Sequence, residues 1–420
     1  MSPYLSLLSP VRSRPPASTT SPMAARRLFA SLSVALLCAC SAGNGDAAPA
    51  DEQATGTANP TILASDGRPF VVNEIARFDE PWAMDFLPDG RLLVTEKAGA
   101  LKLLAPGGEV GDISGVPAVD YGGQGGLGDV VVHPGFADNG LVYLSYAEAG
   151  DGDTRGAAVA RARLTFDKQG GGALSDLQVI WRQVPKVAGS GHFGHRIAFG
   201  PDGYLWISSG ERQKFDPAQD MQSNLGKIVR LNADGSVPAD NPFAKGDEPI
   251  DPVTAQVWSL GHRNPLGIAF DADGQLWNIE MGPSGGDELN RVEKGGNYGY
   301  PIVSDGDHYD GRPIPDHDTH PEFIAPAVSW SPVISPGGFI IYSGDSFPDW
   351  RGDGLIAGLS SQALIRVEFD GEAAREAERF DMDERIRGVE QGPEGDIWLL
   401  EDGEDARLLR LSPPSPPTQP

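Results

Sequence analysis

Cysteine is nearly missing from this chain: Cys38 and Cys40 are the only two in 420 residues. Everything after residue 40 therefore folds without a disulfide and acts without a thiol nucleophile or a thiolate metal site. Positive charge is also scarce. Lys and Arg number 33 against 59 Asp and Glu, a formal charge of −26. That balance argues against nucleic acid as a partner, because phosphates are repelled. Long apolar runs are lacking too: LFASLSVALL (28–37) is the main one and is too short to span a bilayer stably. No long stretch shows helical periodicity.

Glycine and proline are plentiful, at 54 and 36 residues. Length allows two or three ordinary domains or one large β domain, and short apolar runs between Gly-containing turns favour the latter. At the N-terminus, Arg26 and Arg27 precede the 28–37 run, the layout of a secretory signal. Leu37-Cys38-Ala39-Cys40 resembles a bacterial lipobox, with Cys40 as the acylated residue. This places a signal segment at 1–40, with Met23 as the alternative start. The expected location is the periplasm of a Gram-negative bacterium, with an outer-membrane lipid anchor at Cys40. The competing reading is ordinary cleavage near Ala39. Residues 41–65 read as a flexible tether, 66–411 as the folded domain and 412–420 (SPPSPPTQP) as a Pro-rich tail.

One pattern recurs within 66–411: an acidic or amide residue, Gly, then a strand-like apolar run. It appears as PDGRLLVTE (88–96), DNGLVYLSY (138–146), PDGYLWISSG (201–210), DADGQLWNIEMG (271–282), RGDGLIAGL (351–359) and PEGDIWLLEDG (393–403). Asp-Gly and Asn-Gly suit tight hairpins because they tolerate positive φ. Six such signals predict an all-β fold, a six-bladed β-propeller of four-stranded antiparallel blades, with a β-sandwich as the competitor. The strand within 70–86 is expected to complete the last blade. Core candidates are Leu93, Val142, Tyr143, Leu205, Trp206, Leu276, Trp277, Ile397 and Trp398.

The glycine-rich flanks of these runs carry the reactive side chains. YGGQGGLGDVVVHP (121–134) presents Gln124 between glycines, an amide that both donates and accepts. GSGHFGHRIAFGPDGYLWISSGERQ (189–213) holds His192, His195 and Glu211. His192 can serve as a base near neutral pH, the His pair can bind metal, or both can be structural. In LGHRNPLG (260–267), Arg263 offers a donor fork suited to carboxylates or quinone oxygens. In EMGPSGGDELNRVEKGGNYGYP (280–301), the Gly282 and Pro283 carbonyls and Glu288 are hard oxygen donors, which is Ca²⁺ chemistry outside the EF-hand spacing. Arg385 and Arg387 in DERIRGVEQGPEG (383–395) share one strand face. They repel unless an anion lies between them, the alternative being an outer-face salt-bridge pair.

LGHRNPLG, GPSGGDELN, KGGNYGYP and RIRGV, in that order, resemble the pyrroloquinoline quinone (PQQ)-dependent soluble aldose sugar dehydrogenases of the glucose/sorbosone dehydrogenase family, over roughly 70–411. The resemblance implies a six-bladed propeller with PQQ on its axis. It also implies oxidation of an aldose at C1 to a lactone by hydride transfer to PQQ. His192 falls at the family's catalytic base and Glu211 at the acid that supports it. Gln124, Arg263 and Asn264 match cofactor-contacting positions, and Arg385 and Arg387 match a pair holding PQQ carboxylates. Gly282 and Pro283 match backbone ligands of a Ca²⁺ beside PQQ, and Glu288 and Tyr298 a further Ca²⁺ site. Arg263 is also expected to stabilise charge developing on the quinone.

Two departures stand out. Ser360 lies near a position where the family has a PQQ-contacting lysine, and AGLSSQALIRVEF (357–369) contains none. Glu211 replaces the usual Asp and is one methylene longer. Expected partners are a small sugar and an electron acceptor that the sequence does not identify, with a monomer or homodimer as the assembly. A non-catalytic propeller lipoprotein that binds a sugar or a protein, and a metal-dependent lactonase, are the competing functions.

Overall fold

The structure, a computed structural model, describes residues 61–62, 68–245 and 250–414. The expected signal segment and lipid-attachment Cys40 lie outside the described residues. Among the described residues, helix is confined to one four-residue turn, Phe136–Asn139, and four 3₁₀ turns.

The remainder is sheet, arranged as in a β-propeller. Three sheets have four antiparallel strands each, beginning at Gly194–Phe199, Pro265–Phe270 and Pro336–Ile341. A nine-stranded sheet consists of two antiparallel four-stranded stretches, led by Pro81–Phe86 and Leu127–Val132, plus the short strand Val187–Ala188. The two stretches are joined where Val110–Ser114 and Gly172–Arg182 pair in parallel. In the last sheet Ile386–Gln391 pairs with Ile397–Glu401, then Ala406–Ser412, then Val71–Phe78. As expected, the N-terminal strand completes the sheet formed by the C-terminal strands, in the register Val71↔Ser412 to Phe78↔Ala406. Part of the expected tether is ordered differently: Thr61–Ile62 adds an edge pairing to Val71–Phe78. The last strand also runs one residue into the expected tail, to Ser412.

All six Gly-turn runs are strands, and each is the second strand of its group. Gly90, Gly203, Gly274 and Gly395 occupy the same turn position at φ between +81° and +85°, a region open to glycine without a Cβ penalty. Eight of the nine core candidates are buried. Trp398 is half-exposed and packs on the edge of a cluster around Leu400 and Leu408.

The first strands are less regular. PWAMDF, LGDVVV, GHRIAF, PLGIAF, PGGFII and IRGVEQ each carry a register shift within their first few residues. A bulge bends a strand and re-aims its side chains. The first strands pack against one another in chain order, and Ile386–Gln391 packs back on Pro81–Phe86. On the axis they enclose a cavity of about 410 Å³.

Arg196 lies between that cavity and the starts of these strands. Its guanidinium donates to the Leu266 carbonyl at 2.9 Å, pairs with Asp129 at 3.2 Å and reaches the Gly337 carbonyl. It also lies 3.9 Å from the Trp82 ring centroid. One side chain thus joins residues of five first strands.

Candidate active site

The starts of the first strands and the loops before them form two cavities. The inner one, of about 170 Å³, is lined by Trp82, Gln124, Asn264, Arg385, Arg387 and Lys97 among others. The outer one, of about 250 Å³, is lined by His192, Glu211, Arg263, Pro283, Tyr300 and Tyr309 among others. The two adjoin, because consecutive residues face both: His192 lines the outer and Phe193 the inner, Arg263 the outer and Asn264 the inner.

His192 follows a glycine pair of turns and adopts φ +49°. His195, Arg212, Gln213 and Phe215 are also at positive φ, so backbone strain for non-glycine residues concentrates around this site. The Gln124 side-chain oxygen accepts from the His192 amide at 2.6 Å, and the Gln124 backbone N–H donates to the Ser190 carbonyl at 2.8 Å. His192 Nδ1 lies 2.5 Å from Glu211 Oε1. Glu211 Oε2 accepts from the amides of Lys214 and Phe215.

Burial alone would raise the Glu211 carboxyl. The His192 hydrogen bond and charge, the Phe215 amide and Arg263 bring it below its ordinary value. His192 is held below the usual histidine value, by burial first and by the charges of Arg263 and Arg212, with Glu211 opposing. The pair is therefore a neutral imidazole beside an ionised carboxylate. Its tautomer follows from the partners: Nδ1–H donates to Glu211 and Nε2 keeps its lone pair.

His195 plays a different part. It is fully buried and stacks on Trp82 at 4.8 Å, and its Nδ1 is 2.7 Å from Ser145 Oγ. Gly128 allows this, since a Cβ there would lie 1.9 Å from His195 Cε1. The His192/His195 metal reading finds no support: among the described residues no three His, Cys, Asp or Glu side chains converge as metal ligands.

Arg263 is buried. Its Nη1 donates to the carbonyls of Met281 at 2.9 Å and Gly282 at 2.6 Å, and its Nη2 to the Tyr309 hydroxyl at 3.2 Å. Asn264 is wholly buried; its Oδ1 accepts from the Gly194 amide while Nδ2 has no partner. Arg385 and Arg387 do share an anion. Asp402 Oδ2 takes the Arg385 Nε at 2.8 Å, and Oδ1 takes the Arg387 Nε and Nη2 at 2.9 and 2.8 Å. Ser360 is exposed, 2.8 Å from Ser335 Oγ, and is not among the residues lining the inner cavity, although its neighbour Leu359 is.

The expected metal positions divide between two places. Gly282 and Pro283 border a third cavity, and the Gly282 carbonyl is engaged by Arg263. Glu288 lies opposite Glu280 on paired strands, with Asn278 opposite Asn290 on the same face. Burial first and the Glu280 charge second push the Glu288 carboxyl up to about 8. The side-chain oxygens of Asn278 and Asn290 are buried without a partner. An all-oxygen set with two unmatched amide acceptors and two facing carboxylates fits a hard cation such as Ca²⁺. Tyr298 contributes differently from a side-chain ligand. Its hydroxyl donates to the Arg291 carbonyl at 2.5 Å, its ring stacks on His262, and its carbonyl lies 3.1 Å from His317 Nε2.

Several residues here escape sequence reasoning. Arg212 is buried and fixes the loop through the carbonyls of Gly191, Arg155 and Gly189. Only its position beside Glu211 hinted at it. Phe215 and Tyr309 line the outer cavity with no motif to mark them, and Tyr300 does so from within KGGNYGYP, where it was not singled out. Glu280 holds His262 Nδ1 at 2.9 Å and the Arg263 amide at 2.6 Å, and its place within EMGPSGG was the available sign.

Known proteins show the same frame. The family model described as glucose/sorbosone dehydrogenase matches residues 78–410. An aldose sugar dehydrogenase of Escherichia coli is 38% identical over 80% of this chain and 91% of its own length. The crystal structure of the soluble E. coli aldose sugar dehydrogenase in its apo form has a TM-score of 0.75 at 37% identity, over 82% of this chain and 99% of that one. The PQQ-bound form of an aldose sugar dehydrogenase from Streptomyces coelicolor has a TM-score of 0.66 at 29% identity, over 81% and 97%. With its family pattern running across the sheets that build both cavities, the chain belongs to the glucose/sorbosone dehydrogenase family.

Proposed function

We propose that this chain is a PQQ-dependent sugar dehydrogenase that oxidises aldoses at C1 to lactones, with His192 as general base. The observation that carries the reading is the shared wall of the two cavities: a neutral, carboxylate-oriented imidazole faces one, and two guanidiniums sharing a single carboxylate, with an unpartnered amide donor, face the other. The frame is read as six four-stranded blades, on the closed order of the first strands.

The inner cavity fits a planar polyanion. Asn264 Nδ2 is a buried donor without an acceptor, Arg385 and Arg387 offer two guanidiniums, and the Trp82–His195 stack supplies a flat wall. Gln124, Arg263, Asn264, Arg385 and Arg387 are assigned to hold PQQ, with Ser360 next to the cavity-lining Leu359. PQQ, when bound, supplies the two-electron hydride acceptor. The Gly282 and Pro283 carbonyls are assigned to a Ca²⁺ beside it, and Glu288 with the Tyr298 carbonyl to a second Ca²⁺.

The chain's own residues do the rest. The anomeric hydroxyl of the sugar donates to Nε2 of His192, which takes the proton. Glu211 fixes the imidazole through Nδ1 and stabilises the imidazolium that forms. Arg263, anchored by two carbonyls, places a positive charge where negative charge builds up. Tyr300 is buried in the wall of the outer cavity, and Phe215 and Tyr309 line it from exposed positions.

The test is reconstitution of residues 41–420 with PQQ and Ca²⁺, followed by absorption spectra before and after a panel of aldoses. The expected result is a bound-quinone band that converts to its reduced form with sugar, and that persists unreduced in His192→Ala. Absence of any bound-quinone band would sink the reading.

We also propose a periplasmic location with lipid attachment at Cys40. Among the described residues no helix is long and apolar enough to cross a membrane. Labelling with a fatty-acid analogue that survives Cys40→Ala would overturn the attachment.

A further inference from the structure

We propose that Lys97 is a third cationic arm of the inner cavity and pairs with a carboxylate of the ligand held there. The inference rests on the PQQ reading above and names a ligand contact beyond it.

Lys97 follows the strand Leu92–Glu96 and lines the same cavity as Arg385, Arg387, Gln124 and Asn264. Its backbone is fixed from both sides. Its amide donates to the Glu80 carbonyl at 3.0 Å and its carbonyl accepts from Leu127 at 2.9 Å. Gly126, at φ +149°, lets the next loop close on it, since a Cβ there would lie 2.2 Å from the Lys97 carbonyl oxygen. A lysine stem rooted this firmly delivers its ammonium to a limited volume beside the cavity.

The ammonium lies 3.1 Å from Glu80 Oε1, and its side chain is 17% exposed. Glu80 has a second partner, the Tyr121 hydroxyl, which donates to Oε2. Lys97 can therefore turn to another anion without leaving Glu80 bare. A compact ammonium on a four-carbon stem is suited to such a move, whereas a guanidinium fork is not.

The neighbouring charges point the same way. Tyr121 is the largest influence holding the Glu80 carboxyl below its ordinary value, with Lys97 adding to it; the charge of Asp402 opposes. Asp402 is the carboxylate shared by Arg385 and Arg387. The two clusters thus adjoin at one edge of the cavity. Together they hold three cations (Lys97, Arg385, Arg387) and two carboxylates (Glu80, Asp402), one positive charge in excess on a chain of formal charge −26. PQQ is a tricarboxylate, and two arginines locked on one acid leave it short of partners. Lys97 makes up the difference.

The test is a binding titration, independent of turnover. Purified protein with Ca²⁺ is titrated with PQQ by tryptophan-emission quenching, at low and high salt, for the unaltered chain, Lys97→Met and Glu80→Gln. Loss of one charge-assisted contact is expected to raise Kd about tenfold or more in Lys97→Met and to flatten its salt dependence. Glu80→Gln keeps an acceptor for Tyr121 but removes the competing charge, so it is expected to tighten binding. The uncharged trimethyl ester of PQQ is expected to bind the unaltered chain and Lys97→Met alike. Equal PQQ affinity in Lys97→Met, or weakening by both substitutions, overturns the assignment and leaves the PQQ reading standing. No binding by the unaltered chain overturns both.

Discussion

Nδ1 of His192 sits 2.5 Å from Oε1 of Glu211, and the other oxygen of that carboxylate is taken by two backbone amides. The acid is thus locked at both oxygens, from just beyond the strand Leu205–Ser209. Glu211→Gln can present its amide group to Nδ1 and so favour the wrong tautomer. Sugar oxidation is expected to fall about 10²- to 10⁴-fold, with PQQ affinity nearly unchanged. Steady-state kinetics beside a PQQ titration checks this, and a parallel loss of affinity would refute it.

The pH profile follows from the same pair. Burial lowers the His192 pKa below 6.5, and the base form exists only above that pKa. The rate should therefore climb from acid and level off, with its half-point below 6.5 in kcat/KM. A half-point at or above 6.5 would mean that the titrating base is another group.

His195 gives a stability signature instead. Burial, followed by the charges of Arg196 and Arg212, holds its pKa down to about 3. Between pH 6.5 and 3 the unfolded chain takes up a proton at this histidine that the folded chain refuses. Its contribution to stability is present above 6.5 and drains away at about 1.4 kcal/mol per pH unit as pH falls. Denaturant melts of the unaltered protein and His195→Gln at pH 6.5, 5.5 and 4.5 should show the shallower slope in the variant. Parallel slopes would exclude the effect.

Arg196 should be costly to remove. Arg196→Met leaves Asp129 buried opposite an apolar group and frees the carbonyls of Leu266 and Gly337. A loss of about 3–5 kcal/mol is expected from breaking a buried pair on one side. The double substitution Arg196→Met with Asp129→Asn should recover part of it. A single variant as stable as the parent would remove Arg196 from its place at the centre of the ring.

The second strands could be read from sequence because their signal is local: an Asp-Gly or Asn-Gly turn followed at once by apolar residues. The first strands could not. PLGIAF and PGGFII do not alternate, since their early residues are bulged and packed against neighbouring first strands on the axis. The site was legible as separate glycine-rich pieces, and the family likeness supplied its order. Its connections were not, because Gln124 reaches His192 across 68 residues and Asn264 reaches Gly194 across 70. Lys97 left no mark at all: VTEKAG contains nothing to distinguish it from any surface lysine, and only the placement of Arg385 and Arg387 beside it gives it meaning.

The antiparallel join between Val71–Phe78 and Ala406–Ser412 means that the circle is fastened by hydrogen bonds where every other link is covalent. A closed circle has no privileged starting point. The chain could be re-cut at an exposed turn such as 168–170, with the register partners Val71 and Ser412 bridged by a short linker, and the circular permutant would keep the pairings between them and both cavities. It would differ in how it comes apart. The parent is expected to open at the seam between Val71–Phe78 and Ala406–Ser412, whereas the permutant would carry that seam as continuous chain and fray at the new cut.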